Sequence, residues 1–360
     1  MSRTNQVIEG WTGPGRRDPV IVPLKPAEDG LHIDRSRRGQ YEWWYFDAHL
    51  DNGYTVVVFF HASNPNPGLE GQTGIEVVLL RPDGIRIQRF FPHNRSEFAA
   101  AADKPEVTIG KNTLRTGPGA GGLPVYAIDV DEAGLGCHLT YQAEVDGWKP
   151  GTGLSQFGHL GSFGWVVPFV RASVKGTITD GDITLPVSGT GYHDHNWLNF
   201  PFPTVIRYWM WGRIYSEHFS AAYAYIQCNQ KVGEHAVKVL MLADGKEVIL
   251  STGEFEFRQE DFEFNPRAKY EFPRQITIDA PGEMRATLKA KRILEAQDML
   301  ANFSPLLRFL ARNLLRMQPG YFRLLSDFEL EVSRCGEIRK ETGETLHEIV
   351  LFTPVRGASA

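Results

Sequence analysis

The chain contains little cysteine. Only three occur among its 360 residues, Cys137, Cys228 and Cys335, and they lie far apart without forming a Cys-x-x-Cys pair. An odd number of widely spaced cysteines does not suit a disulfide framework and is more typical of a reducing compartment. We therefore predict a cytoplasmic location.

Long apolar runs are also absent. No run approaches the roughly 18 apolar residues that a membrane-spanning helix needs. The first residues, MSRTNQVIEGWTGPGRRDPVIVP, lack the apolar core of a signal peptide. A net charge of -5 offers no basic surplus for nucleic acid or an anionic membrane. These absences favour a soluble protein whose partner is neither nucleic acid nor an anionic membrane.

Helical periodicity is rare, and short apolar or alternating segments separated by turn signals dominate. EWWYFDAHL, then Asp51-Asn52-Gly53, then YTVVVFFHA predict a strand, a tight turn and a second strand. Arg81-Pro82-Asp83-Gly84 predicts a second tight turn between two strands. One helix is predicted from Ser304, a suitable N-cap followed by Pro305, to Met317.

Strands at this spacing predict an all-β protein built from antiparallel sandwiches or barrels. The length suits two β-rich halves better than one very large barrel. We predict an extended N-terminal lead-in over 1–34, an N-terminal domain over 35–198 and a C-terminal domain over 199–355, divided near the Pro201-Phe202-Pro203 break.

The segment GTGYHDHNW, residues 189–197, concentrates polar and aromatic side chains. Because side chains alternate along a strand, Tyr192, Asp194 and Asn196 should share one face, and His193, His195 and Trp197 the other. Neighbouring histidine and aspartate then cannot pair with each other, so any dyad must be completed from another strand.

Three interpretations of this segment stay open. His193 and His195 could be neighbouring metal ligands, but no spacing singles out the third ligand that such a site needs. The cluster could simply satisfy buried polar groups. The third interpretation is a site that acts on a ligand, and we favour it, predicting no metal and no cofactor.

Aromatic residues support the ligand interpretation. Seven tyrosines and tryptophans lie in the segment from Trp197 to Tyr225, and three more occur at Trp43, Trp44 and Tyr45. Aromatic walls hold long apolar ligands and stabilise developing positive charge. For any single one of these rings, ordinary core packing is an equally simple explanation.

YEWWYFDAHLDNGY, followed by GTGYHDHNW and WMWGR, resembles the carotenoid 1,2-hydratase/AttH-like family, which includes hydroxyneurosporene synthase, kievitone hydratase and lipocalin-like Diels–Alderases. The resemblance runs in order from about residue 35 to 350. It implies two lipocalin-like β-barrels with a ligand pocket in or between them, and active-site roles for His195 and Trp197.

The chain departs from the family pattern at two points. Where the resemblance implies a catalytic Tyr-x-Asp, this sequence has Tyr223-Ala224-Tyr225, and Leu198 replaces the usual small residue. Protonating an alkene carbon requires a strong acid in a dry site. Glu42, Asp47, Asp194 and Glu217 are the candidate replacements.

We predict a hydratase-type lyase that adds water to a carbon–carbon double bond of a long apolar isoprenoid or polyene. The alternatives are a cofactor-free intramolecular cyclase of the Diels–Alderase type and a non-catalytic lipid-binding protein. The predicted catalytic residues are His195, Asp194, Tyr223 and Trp197. The predicted substrate-binding residues are Trp43, Tyr45, Trp209, Trp211, Tyr225, His193 and Glu42.

Overall fold

The computed structural model describes residues 6–66, 68–300 and 319–353. Nearly all regular structure in these residues is antiparallel strand, which confirms the predicted all-β class. The helix predicted from Ser304 to Met317 lies outside the described residues. The described helical elements are short 3-10 turns at Pro26–Asp29, Arg95–Glu97, Ala120–Gly122, Phe202–Thr204 and Gln230–Val232.

The first sheet contains thirteen of the described strands and forms a nearly closed barrel. Their bounds are β1 (Val7–Ile8), β2 (Tyr41–Leu50), β3 (Thr55–Ser63), β4 (Thr73–Leu80), β5 (Arg86–His93), β6 (Phe98–Ala100), β7 (Val107–Ile109), β8 (Asn112–Pro118), β9 (Pro124–Glu132), β10 (Leu135–Ala143), β11 (Leu154–Phe157), β12 (Ser162–Asp180) and β13 (Ile183–Leu198). The strand order is β5-β4-β3-β2-β13-β12-β10-β9-β8-β7-β6, and β11 joins β12 to β1.

The second sheet contains nine of the described strands and forms a half-barrel. Their bounds are β14 (Ile206–Tyr215), β15 (Phe219–Cys228), β16 (Ala236–Asp244), β17 (Glu247–Thr252), β18 (Glu256–Asn265), β19 (Tyr270–Ala280), β20 (Met284–Asp298), β21 (Gly320–Arg334) and β22 (Glu337–Leu351). The order is β17-β16-β15-β14-β22-β21-β20-β19-β18, so β14 and β22 meet in its middle.

The two predicted hairpin turns are confirmed. Gly53 has φ +85 between β2 and β3, and Gly84 has φ +87 between β4 and β5. Only glycine adopts this backbone conformation without a Cβ penalty, so the Asn-Gly and Asp-Gly pairs fix where each strand reverses.

Three apolar layers follow from strand alternation. The interior of the first barrel includes Trp44 and Phe46, and the interior of the second sheet includes Phe272 and Phe322. The third layer lies between the sheets and contains residues of both, such as Val57 and Met241. The outer face of each sheet is therefore partly buried against the other.

The lead-in is not uniformly extended. β1 pairs with β11 on the first sheet, and Arg17 forms an isolated bridge with Thr252 of the second. The 3-10 turn that ends at Asp29 brings this carboxylate to full burial.

The predicted boundary at 198/199 falls between β13 and β14, where the chain passes from one sheet to the other. The division into domains over 35–198 and 199–355 stays a prediction. No helix within the described residues is long and apolar enough to span a bilayer.

Candidate functional site

Strand β13 presents its two faces to different parts of the molecule, as its alternation predicts. Asp194 and Asn196 line a cavity between the sheets. His193 and His195, from the other face, are fully buried on the barrel side. The motif therefore contributes to two separate structures.

The cavity between the sheets has a volume of about 300 Å³, at the lower end of the range for small-molecule pockets. Both sheets contribute aromatic walls. The predicted site residues that line it are Trp43, Tyr45, Asp194, Trp209 and Trp211.

One end of the cavity is strongly apolar. The ring of Phe202, in the crossing between the sheets, lies 6.0 Å from Trp43 and 5.1 Å from Trp209 between centroids. Phe352 follows at 5.6 Å from Trp209. These edge-on and tilted contacts are the arrangements that aromatic pairs prefer, so this end is well packed without a ligand.

Asp194 is the carboxyl group that the motif brings to the cavity. Burial raises the pKa of Asp194 to about 6, although hydrogen bonds from its neighbours oppose that rise. Trp165 Nε1 donates to Oδ2 at 3.0 Å, Tyr192 OH donates to the same oxygen at 2.9 Å, and Asn196 Nδ2 donates to Oδ1 at 2.8 Å. Asp194 is thus a positioned acid that keeps its proton up to about pH 6.

A second buried carboxylate lies behind Tyr45. Tyr45 OH donates to Asp47 Oδ2 at 2.8 Å, and Arg213 lies 2.5 Å from Asp47 Oδ1. Burial acts to raise the pKa of Asp47, but the charge of Arg213 outweighs it and holds the pKa below its usual value. Asp47 is therefore a fixed anion that orients Tyr45. Because it stays ionised, Asp47 is less suited than Asp194 to donate a proton.

The second sheet supplies a charged end of the cavity. Arg86 from the first sheet pairs with Glu295 at 2.9 Å, and Arg323 lies 3.6 Å from Glu348. Burial raises the pKa of Glu295. The cavity thus joins an aromatic region to a region of balanced charge.

The two histidines form a buried network with the lead-in. His195 Nε2 lies 2.8 Å from Glu42 and its Nδ1 lies 3.1 Å from Asp29 Oδ1. His193 Nε2 lies 3.1 Å from Asp29 Oδ2, and Tyr126 OH donates to that oxygen at 2.8 Å. The sequence analysis expected the partners of these histidines to come from other elements. They are Glu42 of β2 and Asp29 of the lead-in.

Charge explains the protonation of this network. Burial opposes the charged form of His195, but the neighbouring carboxylates of Asp29 and Glu42 outweigh it and raise the pKa of His195 to about 9. Glu42 also accepts the backbone N–H groups of His32 and Ile33 at 2.8 and 2.9 Å. The network consequently fastens the lead-in to the barrel.

The structure does not bring all predicted site residues together. His193, His195, Glu42 and Trp197 do not line the cavity. Trp197 stacks on His32 with centroids 3.6 Å apart. Their catalytic and binding roles remain predictions.

Tyr223 and Tyr225 face the interior of the second sheet, because Ala224 and Ile226 of the same strand line the cavity. Tyr223 OH lies 3.1 Å from His347, and Tyr225 stacks on Phe257 at 4.6 Å. Burial raises the pKa of Tyr223 above its ordinary range. Their predicted roles also remain predictions.

Several cavity residues were not found from the sequence. These are His61, Glu76, Phe202, Tyr321, Arg323 and Glu348. In β21, Tyr321 and Arg323 alternate with apolar Phe322 and Leu324, so period-two alternation did mark their shared face. It could not indicate that this face meets the first sheet.

Across the described residues, no group of three or more histidine, cysteine, aspartate or glutamate side chains is arranged to hold a metal ion. His61 and Glu76 form a close pair at 3.3 Å on the cavity wall. The absence of a metal requirement stays a prediction.

No protein-family model matches the chain. A curated relative, hydroxyneurosporene dehydrogenase of Chlorobaculum tepidum, is 26% identical over 245 residues, which cover 58% of this chain and 62% of that protein. The match thus spans less than two thirds of the relative's length.

Solved structures match over almost the whole chain. Kievitone hydratase from Nectria haematococca is similar with a TM-score of 0.58 and 15% identity, covering 98% of this chain and 99% of that one. CghA, solved with Sch210972, gives 0.63 and 11%, covering 97% and 98%. A putative AttH from Nitrosomonas europaea gives 0.62 and 14%, covering 94% and 99%.

The chain therefore has the fold of the two-sheet, lipocalin-like β proteins. The predicted resemblance to the AttH-like group is confirmed in its fold.

Proposed function

We propose that the cavity between the sheets is the active site of a cofactor-free hydratase that adds water to a carbon–carbon double bond of a largely apolar molecule. The observation that carries this proposal is Asp194, a buried carboxyl group whose pKa is raised to about 6 and which faces an aromatic cavity. A general acid is most effective when its pKa lies near the working pH.

In the proposed reaction, Asp194 donates its proton to one alkene carbon, and positive charge develops on the other. The rings of Trp43, Trp209 and Trp211 face that charge, and aromatic faces stabilise cations when water is excluded. A water molecule then adds to the cationic carbon and loses a proton to the Asp194 carboxylate. The net change is the addition of one water, and the acid is regenerated.

The neighbours of Asp194 serve this role by fixing its position. Trp165, Tyr192 and Asn196 each donate one hydrogen bond to it. These bonds hold the carboxyl in one orientation, which is the main requirement for proton transfer to a bound substrate. His195 and Glu42 act as positioning residues in this proposal, because they anchor the strand segments on either side of the site.

One comparison supports a hydratase, because a protein with this fold is named kievitone hydratase. The partial sequence match is named hydroxyneurosporene dehydrogenase, so its name supports the kind of ligand and not a hydration. Long isoprenoid or polyene substrates, secondary metabolism and a cytoplasmic location belong to the proposal. The free state of Cys137, Cys228 and Cys335 is consistent with that location.

The second candidate is an intramolecular cyclase. The opposed walls, Trp43 and Tyr45 on one sheet and Trp209 and Trp211 on the other, favour it because they can hold a flexible polyene in a folded, reactive shape. A cyclisation of this kind needs a weaker proton donor than the hydration of an alkene needs.

The test is incubation with a mixed isoprenoid and polyene extract in heavy-oxygen water, followed by mass spectrometry. We expect a product that carries one labelled oxygen, and we expect Asp194→Asn to form it at least roughly a hundredfold more slowly. Asp131→Asn is the matched control, because this carboxylate is exposed and pairs with Lys111 at the surface. An isomer of unchanged mass establishes the cyclase instead, and ligand recovered intact from the protein establishes a carrier.

A further inference from the structure

The cavity contains two buried N–H groups that lack a hydrogen-bond acceptor. Trp211 Nε1 and Arg323 Nε are shielded from solvent, and neither has a hydrogen-bond partner among the described residues. Arg323 is only 7% exposed, and its Nε lies 3.6 Å from Glu348 Oε1, too far for a hydrogen bond. Both residues line the cavity.

The two donors lie on the same wall. Trp211 of β14 is registered with Glu348 of β22, which is registered with Arg323 of β21. Cross-strand partners in register place their side chains on one face of the sheet. Trp211 and Arg323 therefore flank Glu348 and face the first sheet together.

Unpaired buried donors are costly, and native proteins rarely keep them without a reason. Both residues line a space that a ligand can enter, and an acceptor atom that reaches their N–H groups from this space would satisfy them. Only an acceptor satisfies an N–H, so the atom must be an oxygen or a comparable acceptor. A hydrocarbon would leave both donors unpaired.

The surrounding charges narrow the chemistry of that acceptor. Arg86 and Arg323 are matched by Glu295 and Glu348 at this end of the cavity. A region whose two arginines and two glutamates already balance favours a neutral acceptor over an anion, because an added anion would leave a net negative charge buried there.

We propose that the natural ligand is an apolar molecule that carries a carbonyl oxygen, and that Trp211 Nε1 and Arg323 Nε bind this oxygen. The binding of the carbonyl oxygen does not depend on the proposed function. Only the position of the reacting double bond relative to this oxygen rests on the proposed hydration. The carbonyl lies near the proposed acid: the Trp211 ring is 5.2 Å from the Tyr192 ring, and Tyr192 OH donates to Asp194. The reacting double bond is therefore close to the oxygen-bearing end of the substrate.

The experiment compares two probes by equilibrium dialysis: pseudoionone, an acyclic conjugated ketone, and the hydrocarbon of the same carbon skeleton. We expect the ketone to bind roughly tenfold more tightly, which is the effect of one or two satisfied hydrogen bonds. Trp211→Phe and Arg323→Gln should each reduce that preference at least threefold or so, with little change in hydrocarbon affinity.

Trp209→Phe is the control, because it alters the same wall without removing an unpartnered buried N–H. It should change both affinities and keep their ratio. Equal binding of ketone and hydrocarbon overturns the inference, as does an unchanged ratio in Trp211→Phe. Far-UV circular dichroism checks folding, and if Arg323→Gln does not fold, Trp211→Phe decides alone.

The two proposals fail separately. A protein that prefers the ketone but never incorporates labelled water contradicts the hydratase and leaves the carbonyl site standing. An enzyme that hydrates alkenes but binds the hydrocarbon equally well contradicts only the carbonyl site.

Discussion

Asp194 and His195 are adjacent in the chain and have opposite surroundings. Burial raises the pKa of Asp194 to about 6, and the hydrogen bonds that this group accepts oppose that rise only in part. Two carboxylates raise the pKa of His195 to about 9. The alternation of a strand is enough to separate a proton donor from a structural cation by one residue.

The first prediction concerns activity and pH. The reaction needs the protonated form of Asp194, so kcat/KM should be level below about pH 6 and fall with rising pH above it. Asp194→Asn should lower kcat by roughly a hundredfold or more, the usual contribution of a general acid. Steady-state kinetics between pH 5 and 9 on the substrate found by the screen measure both effects. A profile that rises through this range would rule out Asp194 as the acid.

The second prediction concerns stability. The folded pKa of Asp194 lies above its unfolded value, so ionising this group destabilises the fold as pH rises from about 4 to about 6. Two pKa units correspond to about 3 kcal/mol at most. Asp194→Asn should therefore raise the unfolding free energy at pH 8, and the gain should disappear by pH 4. Urea unfolding at the two pH values measures it, and a variant less stable at pH 8 contradicts the prediction.

At the scale of the strand, sequence patterns predict much of the structure. Asn-Gly and Asp-Gly pairs located the hairpins, and alternation assigned the two faces of β13 correctly. The pairing of β14 with β22 could not be read this way, because it joins segments over 130 residues apart. The role of Asp29 could not be predicted for the same reason. Its carboxylate contacts His193 and His195, which are distant in sequence, from a lead-in with no periodic pattern.

The third prediction concerns the attachment of the lead-in to β2 and β13. His195→Ala leaves Asp29 and Glu42 buried without their cation, and removing one partner of a buried pair costs about 3–5 kcal/mol. The folded pKa of His195 exceeds its unfolded value. Its stabilising effect is thus complete below about pH 6.5 and is lost as pH rises through about 9.

Chemical unfolding at pH 6.5, together with limited proteolysis of the lead-in, measures this effect. His138→Ala is the control, because that exposed histidine pairs with Asp129 at the surface and such pairs contribute little. If His195→Ala unfolds at the same denaturant concentration as the wild type, the network does not anchor the lead-in.

At the scale of the whole molecule, the cavity exists only because the two sheets are held at a fixed separation. Asp18 of the lead-in links them. It accepts from the backbone N–H of Gly151 at 2.8 Å and from Ser251 Oγ of the second sheet at 2.7 Å. Trp148 Nε1 donates in turn to Ser251 Oγ at 2.9 Å. This chain of hydrogen bonds connects the lead-in, the first sheet and the second sheet.

The last prediction is that Asp18 controls ligand affinity from outside the cavity. Asp18→Ala removes the acceptor for both donors, and hydrogen bonds to a charged group contribute about 1.5–3 kcal/mol. We expect a lower unfolding free energy and weaker binding of pseudoionone, because the opposed walls lose part of what fixes their spacing. The pH at which activity falls should stay near 6, since every hydrogen bond to Asp194 comes from the first sheet. Asp34→Ala, an exposed carboxylate of the same lead-in, is the control. Unchanged affinity in Asp18→Ala would mean that the sheets keep their spacing through apolar packing alone.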